Sequence, residues 1–310
     1  MKTGLCAAAC LLLCLLTGCG SDTASIEPNG FLAVSAGDCS GVDTIIGIRS
    51  MQAFTDDAAV HPIESLDNGT YFALKYPFQD GEQVYYTTTH AATGEECIIT
   101  KTDTQPEWST FPEQENRYYR KTPVWEPVLR QSGSIRYKTI SGNQLYYLLV
   151  TQDSAEIRRF DLQTKEDEPL LSGVHPDAGF DADAQGTILY VTADSAVKLR
   201  SADGTEQELG QGTAACFYQE QKILLADASG VSIRDLTDGT EQKLCSVTGN
   251  AILLSPSRTC IALCSQEESK NLEYDTVTVV ELASGRTHTI RTLPDTLHGA
   301  AWLDGYYPIS

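Results

Sequence analysis

The heptapeptide Asp203-Gly204-Thr205-Glu206-Gln207-Glu208-Leu209 returns 35 residues later as Asp238-Gly239-Thr240-Glu241-Gln242-Lys243-Leu244. The residues before each copy match as well: Thr187 to Val191 (TILYV) and Val197 to Arg200 parallel Lys222 to Ala226 (KILLA) and Val231 to Arg234. Each copy reads strand, turn, strand, Asp-Gly hairpin, strand, because short apolar β-branched runs are punctuated by residues that turn easily. Looser copies flank the pair. Upstream, Gln144 to Thr151, Glu156 to Leu162 and Lys165 to Leu170 follow the same order; downstream, Thr259 to Ser265, Thr276 to Leu282, a Ser284-Gly285 turn and Arg286 to Ile290 do so again. Asp161, Asp235 and Glu281 take comparable places. A unit of about 35 to 46 residues with four strands is the period of a propeller blade, and a chain so built must bury each unit against the next.

From residue 30 onward there is almost no sustained helical periodicity, which points to an all-β body. With 41% hydrophobic and 21% charged residues, the chain can form a packed core and is not a disordered acidic polymer. The count is six four-stranded units, with a seventh open, and a β-sandwich or β-solenoid with similar turns is the competing arrangement. Tyr71 to Tyr76, Gln83 to Thr89 and Glu96 to Lys101 supply an early unit. The sequence stops at Ser310 partway through another, so Gly30 to Ala36 (GFLAVSA) is expected to complete the last unit and close the ring.

Leu254-Ser255-Pro256-Ser257-Arg258-Thr259-Cys260-Ile261-Ala262-Leu263 resembles the Ser-Pro-Asp-Gly strand-turn-strand of TolB-type, WD40-like β-propellers, with Ser257-Arg258 in place of the usual Asp-Gly. Ala301-Trp302-Leu303-Asp304-Gly305 is similar to the start of another unit. Phe160-Asp161-Leu162 and Val280-Glu281-Leu282-Ala283-Ser284-Gly285 are similar to the family's third strand and exit turn. The resemblance covers about residues 135 to 310 and implies a β-propeller.

The beginning of the chain reads as an address. Met1-Lys2 precede an uncharged run at residues 4 to 18, which is too short for a membrane-spanning helix of roughly 20 residues and reads as an export signal over residues 1–18. Leu16-Thr17-Gly18-Cys19 then resembles the lipobox of bacterial lipoproteins, which implies a diacylglyceryl thioether on Cys19. Two or three acyl chains anchor durably where one is marginal. Residues 19–29 form the lipidated Cys and a small, polar tether, and residues 30–310 the propeller. The body is then extracytoplasmic, on the outer face of the cell membrane, or at the outer membrane of a two-membrane cell. In that setting disulfides are permitted, and Cys39, Cys97, Cys216, Cys245, Cys260 and Cys264 remain after the leader; Cys260 and Cys264 share one extended stretch and are too far apart to bond each other.

With 22 Lys+Arg against 42 Asp+Glu, the formal charge of −20 disfavours nucleic acid as a partner. No Cys pair has CxxC spacing and none of His61, His90, His175, His288 and His298 is spaced as a metal ligand, so neither metal nor cofactor is expected. Ala33-Val34-Ser35-Ala36-Gly37 lacks the first Gly of a nucleophile elbow and reads as an edge strand. Asp181-Ala182-Asp183-Ala184-Gln185-Gly186 has the opening of a calcium loop, but Thr192 stands where Glu would close it, and the segment reads as a blade's first turn. No catalytic residue is assigned.

The segment at residues 104–133 breaks the rhythm and reads as an insertion between blades. It concentrates Trp108, Phe111, Arg117, Tyr118, Tyr119, Arg120 and Trp125, types that dominate recognition surfaces. These residues are the expected contact site of a monomeric, non-catalytic binding or scaffolding module for an envelope protein or cell-wall glycan. The alternative is a propeller enzyme, a lyase or hydrolase with His175, His298 and nearby Asp gathered at one mouth of the central channel.

Overall fold

Unbroken apolar runs such as Leu145-Tyr146-Tyr147-Leu148-Leu149 and Ile223-Leu224-Leu225-Ala226 have no polar face, so the sheets they form must be covered on both sides. The structure, a computed structural model, describes residues 31–36, 43–47, 60–63, 71–80, 83–110, 117–255, 257–269, 272–291 and 297–303. Its strands are, in chain order, β1 (Phe31–Ala36), β2 (Asp43–Gly47), β3 (Val60–Ile63), β4 (Tyr71–Asp80), β5 (Gln83–His90), β6 (Glu96–Thr110), β7 (Arg117–Gln131), β8 (Ser134–Ser141), β9 (Gln144–Val150), β10 (Ala155–Asp161), β11 (Asp167–Ser172), β12 (Asp181–Ala182), β13 (Ile188–Val191), β14 (Ala196–Arg200), β15 (Glu206–Gln211), β16 (Ala214–Gln219), β17 (Lys222–Asp227), β18 (Gly230–Asp235), β19 (Glu241–Cys245), β20 (Ala251–Leu254), β21 (Cys260–Ser269), β22 (Leu272–Glu281), β23 (Thr287–Arg291) and β24 (Leu297–Leu303). Five antiparallel blades use four consecutive strands each: β4 to β7, β8 to β11, β12 to β15, β16 to β19 and β20 to β23. A further four-stranded sheet has the order β24-β1-β2-β3.

The architecture is an all-β propeller. The first strands of successive sheets lie side by side in the circuit β4, β8, β12, β16, β20, β24 and back to β4. The expected count of six units, with a seventh open, therefore becomes five blades of consecutive strands and one composite sheet, with no seventh among the described residues. Two further expectations are corrected. β1 holds most of the Ala33-to-Gly37 stretch and is not an edge strand, because β24 pairs with it on one side (Leu32 opposite Trp302) and β2 on the other (Leu32 opposite Ile46). Residues 104–133 are not an insertion between blades; they belong mostly to β6 and β7, the third and fourth strands of one blade.

The core lies between blades. Leu145, Tyr147 and Leu149 of β9 pack with Phe78, Tyr85, Ile98 and Leu129 of the preceding blade, while Tyr146 and Leu148 pack with Ala182, Ile188 and Tyr190 of the following one. Period-two alternation thus still operates, with both faces apolar. The same arrangement joins β13 to β17 through Leu189, Val191, Ile223 and Leu225, and β16 to β21 through Ala214, Cys216, Ile261 and Leu263. Removing each buried aliphatic side chain from water contributes roughly 1.5–3 kcal/mol, so the blade interfaces dominate the stability of the ring.

Turns set the register. Residues in the left-handed region recur at the first hairpin of successive blades (Gly142, Gly186, Gln221, Arg258) and at the third (Lys165, Gly204, Gly239, Gly285). In the near-identical copies, the Asp203 and Asp238 carboxylates each accept the N–H two residues on, from Thr205 and Thr240 at 2.9 Å, which is the reason the Asp-Gly-Thr triplet recurs.

Because every sheet is antiparallel and the β7–β8 and β15–β16 links are only two residues long, all first strands run the same way. Turns between the first and second and between the third and fourth strands lie on one face of the ring, termed lower here. Turns between the second and third strands, and the links between blades, lie on the upper face. Phe31 starts β1 on the lower face and Leu303 ends β24 there.

Gly230 (φ +134°) lies against the backbone of Cys245 and Ser246, whereas a Cβ on Gly239 (φ +74°) meets nothing within 4 Å. Gly230→Ala is expected to destabilise the protein by about 2–3 kcal/mol and Gly239→Ala by about 1 kcal/mol, as measured by urea unfolding. Deleting residues through Ala36 removes both ladders of β1, and the cooperative thermal transition should be lost.

Candidate functional site

Two hairpins outgrow the ring. β5 pairs with β6 only from Glu96 to Thr100, but β6 continues to Thr110 paired solely in the ladder with β7, through Glu107 opposite Arg120, Trp108 opposite Tyr119, Ser109 opposite Tyr118 and Thr110 opposite Arg117. Ten residues per strand give a two-stranded ribbon about 33 Å long. Pro106 and Pro123, which break a sheet interior, are tolerated because each strand of a ribbon has a free edge. The second ribbon comes from β21 and β22, whose register runs on to Glu267 opposite Tyr274 and Ser269 opposite Leu272 after β20 has ended. A third-to-fourth hairpin and a second-to-third hairpin turn on opposite faces, so the β6–β7 ribbon belongs to the lower face and the β21–β22 ribbon to the upper.

Of the expected contact residues, Trp108 lies on β6 and Arg117, Tyr118, Tyr119, Arg120 and Trp125 on β7, while Phe111 and Cys19 lie outside the described residues. The register brings Trp108 and Tyr119 to one position and Arg117 within two residues of it; Trp125, opposite Lys101, stands near the base.

The base is fastened to the next blade. Gln131, the last residue of β7, donates to the Tyr147 hydroxyl at 2.6 Å and to Asp167 at 2.8 Å; Tyr147 donates to Asp167 at 2.9 Å. Arg158 holds the same carboxylate at 2.9 Å and Glu156 at 2.6 Å. Burial, with Asp167 alongside, raises the Tyr147 hydroxyl well above the ordinary phenol range. Every polar atom named here has a partner, so the group acts as a structural clamp.

A second polar group lies among the first strands of three blades. Asp181, the first residue of β12, accepts N–H bonds from Ala182 at 2.8 Å and from Phe217 on β16 at 3.0 Å, and the Thr139 hydroxyl of β8 stands 3.5 Å away. It therefore spans three blades. Burial pushes its carboxyl up to about 6, opposed by those two N–H groups, Arg258 and Thr139. Arg258 takes the left-handed position where the resembled motif has Gly, with φ 56°, and donates to the Tyr218 carbonyl. Burial likewise lowers Lys138 to about 7, with Glu96 opposing, and its ammonium lies 5.7 Å from the centre of the Phe78 ring. The only trace of Asp181 in the sequence is its place in the calcium-like opening. That opening is a turn: Asp183 accepts the N–H groups of Gln185 and Thr187 at 2.9 and 2.7 Å.

His175 sits in the link before β12 and His298 on β24, both towards the upper face but on sheets that stand across the ring from each other. His61, His90 and His288 are distributed over β3, β5 and β23. Among the described residues no three His, Cys, Asp or Glu side chains are grouped to hold a metal. The described cysteines, Cys97, Cys216, Cys245, Cys260 and Cys264, are all free thiols; Cys39 lies outside the described residues. Burial raises the Cys97, Cys216 and Cys260 thiols, which suits core residues and not nucleophiles.

No protein-family model matches the sequence, and no curated protein matches it. Among solved structures the chain is similar to TolB from Acinetobacter baumannii, with a TM-score of 0.59 and 13% identity over 89% of this chain and 67% of that one. It is also similar to a chain of a nidogen/laminin complex, with a TM-score of 0.58 and 12% identity over 89% of this chain and 99% of that one. The body is therefore a TolB-like propeller in fold.

Asp181 binds its proton more tightly in the folded ring than in the unfolded chain. Its protonated form contributes stability that is complete below about pH 4 and is lost as the pH rises through about 6, a change of about 3 kcal/mol. In Asp181→Ala the fall in melting temperature between pH 4 and 6 should flatten relative to the parent, and in Arg258→Gly the fall should extend to higher pH. Equal slopes in all three proteins would show that Asp181 does not titrate in this window.

Proposed function

We propose that this chain is an extracytoplasmic, lipid-anchored propeller that binds or scaffolds an envelope partner and performs no catalysis itself. The composite sheet β24-β1-β2-β3 serves as the closing blade. The observation that carries this reading is the β6–β7 ribbon, which extends some ten residues per strand past the sheet that supports it. A two-stranded ribbon is marginal in water by itself, so nine paired positions beyond the part of β6 that β5 supports call for another role. The residue types on it, Trp108, Arg117, Tyr118, Tyr119, Arg120 and Trp125, suit recognition, combining rigid aromatic area with guanidinium forks.

The anchor supports the same reading. Cys19 follows an apolar run too short to span a bilayer, and β1 begins 12 residues after it. An extracytoplasmic setting also agrees with the fold likeness to TolB and to a chain of a nidogen/laminin complex, the latter an assembly of two proteins. A ring whose blades are locked by interblade packing is a rigid platform, and a rigid platform lowers the ordering cost of binding.

Replacing residues 102–124 by a two-residue Asn-Gly turn should leave the melting temperature within about 3 °C of the parent, since the blade interfaces are untouched. It should abolish the crosslinks to a ribbon-held partner that a photoreactive group in a neighbouring lower-face turn, at position 164, forms in intact cells. Undiminished crosslinking from a lower-face loop of the shortened protein would remove the ribbon from the contact.

A further inference from the structure

We propose that residues 175–180 form a strap across the upper mouth of the ring, so that the central channel is closed at that end and anything entering it must come from the lower face. Neither the lipid anchor nor the β6–β7 ribbon bears on this closure.

β12 is short because the chain leaves its ladder. Val174 stands opposite Thr192 in an isolated bridge, and pairing resumes only with Asp181 opposite Leu189. Tyr190 and Val191 of β13 therefore face six residues, 175–180, where a regular ladder has room for two. First strands start on the upper face, so this excess of chain lies at the upper mouth. One end of it is pinned to the sheet, where the His175 N–H donates to the Val191 carbonyl at 2.9 Å. The Asp177 N–H donates back to His175 Nδ1 at 3.2 Å and closes a turn.

The six residues touch opposite sides of the ring. On one side Arg136 of β8 donates to the Pro176 carbonyl at 3.2 Å and pairs with the Asp177 carboxylate, and the Tyr137 hydroxyl donates to the Asp177 carbonyl at 2.8 Å. On the other the Gly179 N–H donates to the carbonyl of Asn250, the residue before β20, at 2.9 Å. In the circuit β4, β8, β12, β16, β20, β24 the strands β8 and β20 are three places apart, which in a ring of six is a diameter. Between the two contacts Ala178 is buried against Leu189 and Ala215, over the step from β12 to β16.

Two local features of the chain serve these contacts. Neighbouring residues of a strand point to opposite faces, yet Arg136 and Tyr137 both reach Asp177; the β8 register shifts between Arg136 and Lys138, and Tyr137 takes φ 23° in that bulge. At the far side, glycine lets the strap lie against β20: a Cβ on Gly179 would stand 3.3 Å from both Cα and Cβ of Ala251, a residue only 1% exposed. His175, its Nδ1 engaged within the strap, is part of the closure.

The test places thiols at the crossing, in the full chain. In the double variant Gly179→Cys/Ala251→Cys the two Cβ atoms stand close to the spacing of about 3.5–4.5 Å that a disulfide needs, so mild oxidation should join them, read by mass spectrometry of the linked peptides. In Ala251→Cys alone the thiol should resist N-ethylmaleimide, and it should react about tenfold faster or more when residues 175–180 are replaced by two residues that continue the ladder. Labelling is scored peptide by peptide, which separates the new thiol from the native ones, and a cooperative thermal transition shows that each variant is folded. Absence of the disulfide, or rapid labelling of Ala251→Cys with the strap intact, would overturn the proposal. So would equally slow labelling in the folded shortened chain, because something other than the strap would then cover β20. If the shortened chain does not fold, the disulfide and the protection of Ala251→Cys in the full-length strap decide the matter.

Discussion

Burial of both faces of the five blades of consecutive strands is the constraint from which the rest of the structure follows. A sheet with apolar side chains above and below cannot stand alone, and Tyr146 and Tyr147, adjacent in sequence, are buried against opposite neighbours. Each interface therefore commits the chain to another blade, and the commitment ends only when the last sheet meets the first. The pairing of β24 with β1 is the covalently distant join that makes this possible. It brings residues near the two ends of the described chain into one ladder.

Much of this was legible because neighbouring blades share their turn chemistry. Asp203-Gly204-Thr205 and Asp238-Gly239-Thr240 meet the same need, a left-handed residue after an Asp that accepts a nearby N–H. Elsewhere the same backbone position holds Lys165 in the third turn and Gln221 or Arg258 in the first. Those residues hide the repeat from the sequence while obeying it in space. β12, with only two residues, could not announce itself by any pattern.

The candidate site was legible in its residues but not in its form. The Trp, Tyr and Arg concentration was visible, yet residues 104–133 broke the blade rhythm, and Pro106, Pro123 and Pro127 argue against a strand with neighbours on both sides. A ribbon escapes that argument because each strand keeps one edge unpaired. Asp181 was hidden for a different reason. Its importance lies in joining β8, β12 and β16 at the axis, and such a join has no signature along the chain.

The two ribbons show how a repeating ring acquires polarity. All blades are alike in strand order, so nothing in the repeat distinguishes one face from the other by chemistry. Lengthening a third-to-fourth hairpin in one blade and a second-to-third hairpin in another places the two additions on opposite faces without disturbing an interface. The clamp of Gln131, Tyr147 and Asp167 then ties the foot of the lower ribbon to a blade it does not belong to, so a load on the ribbon is carried by the packed interface and not by one hairpin. Strand count sets the ring, and the choice of which hairpin to extend sets its direction.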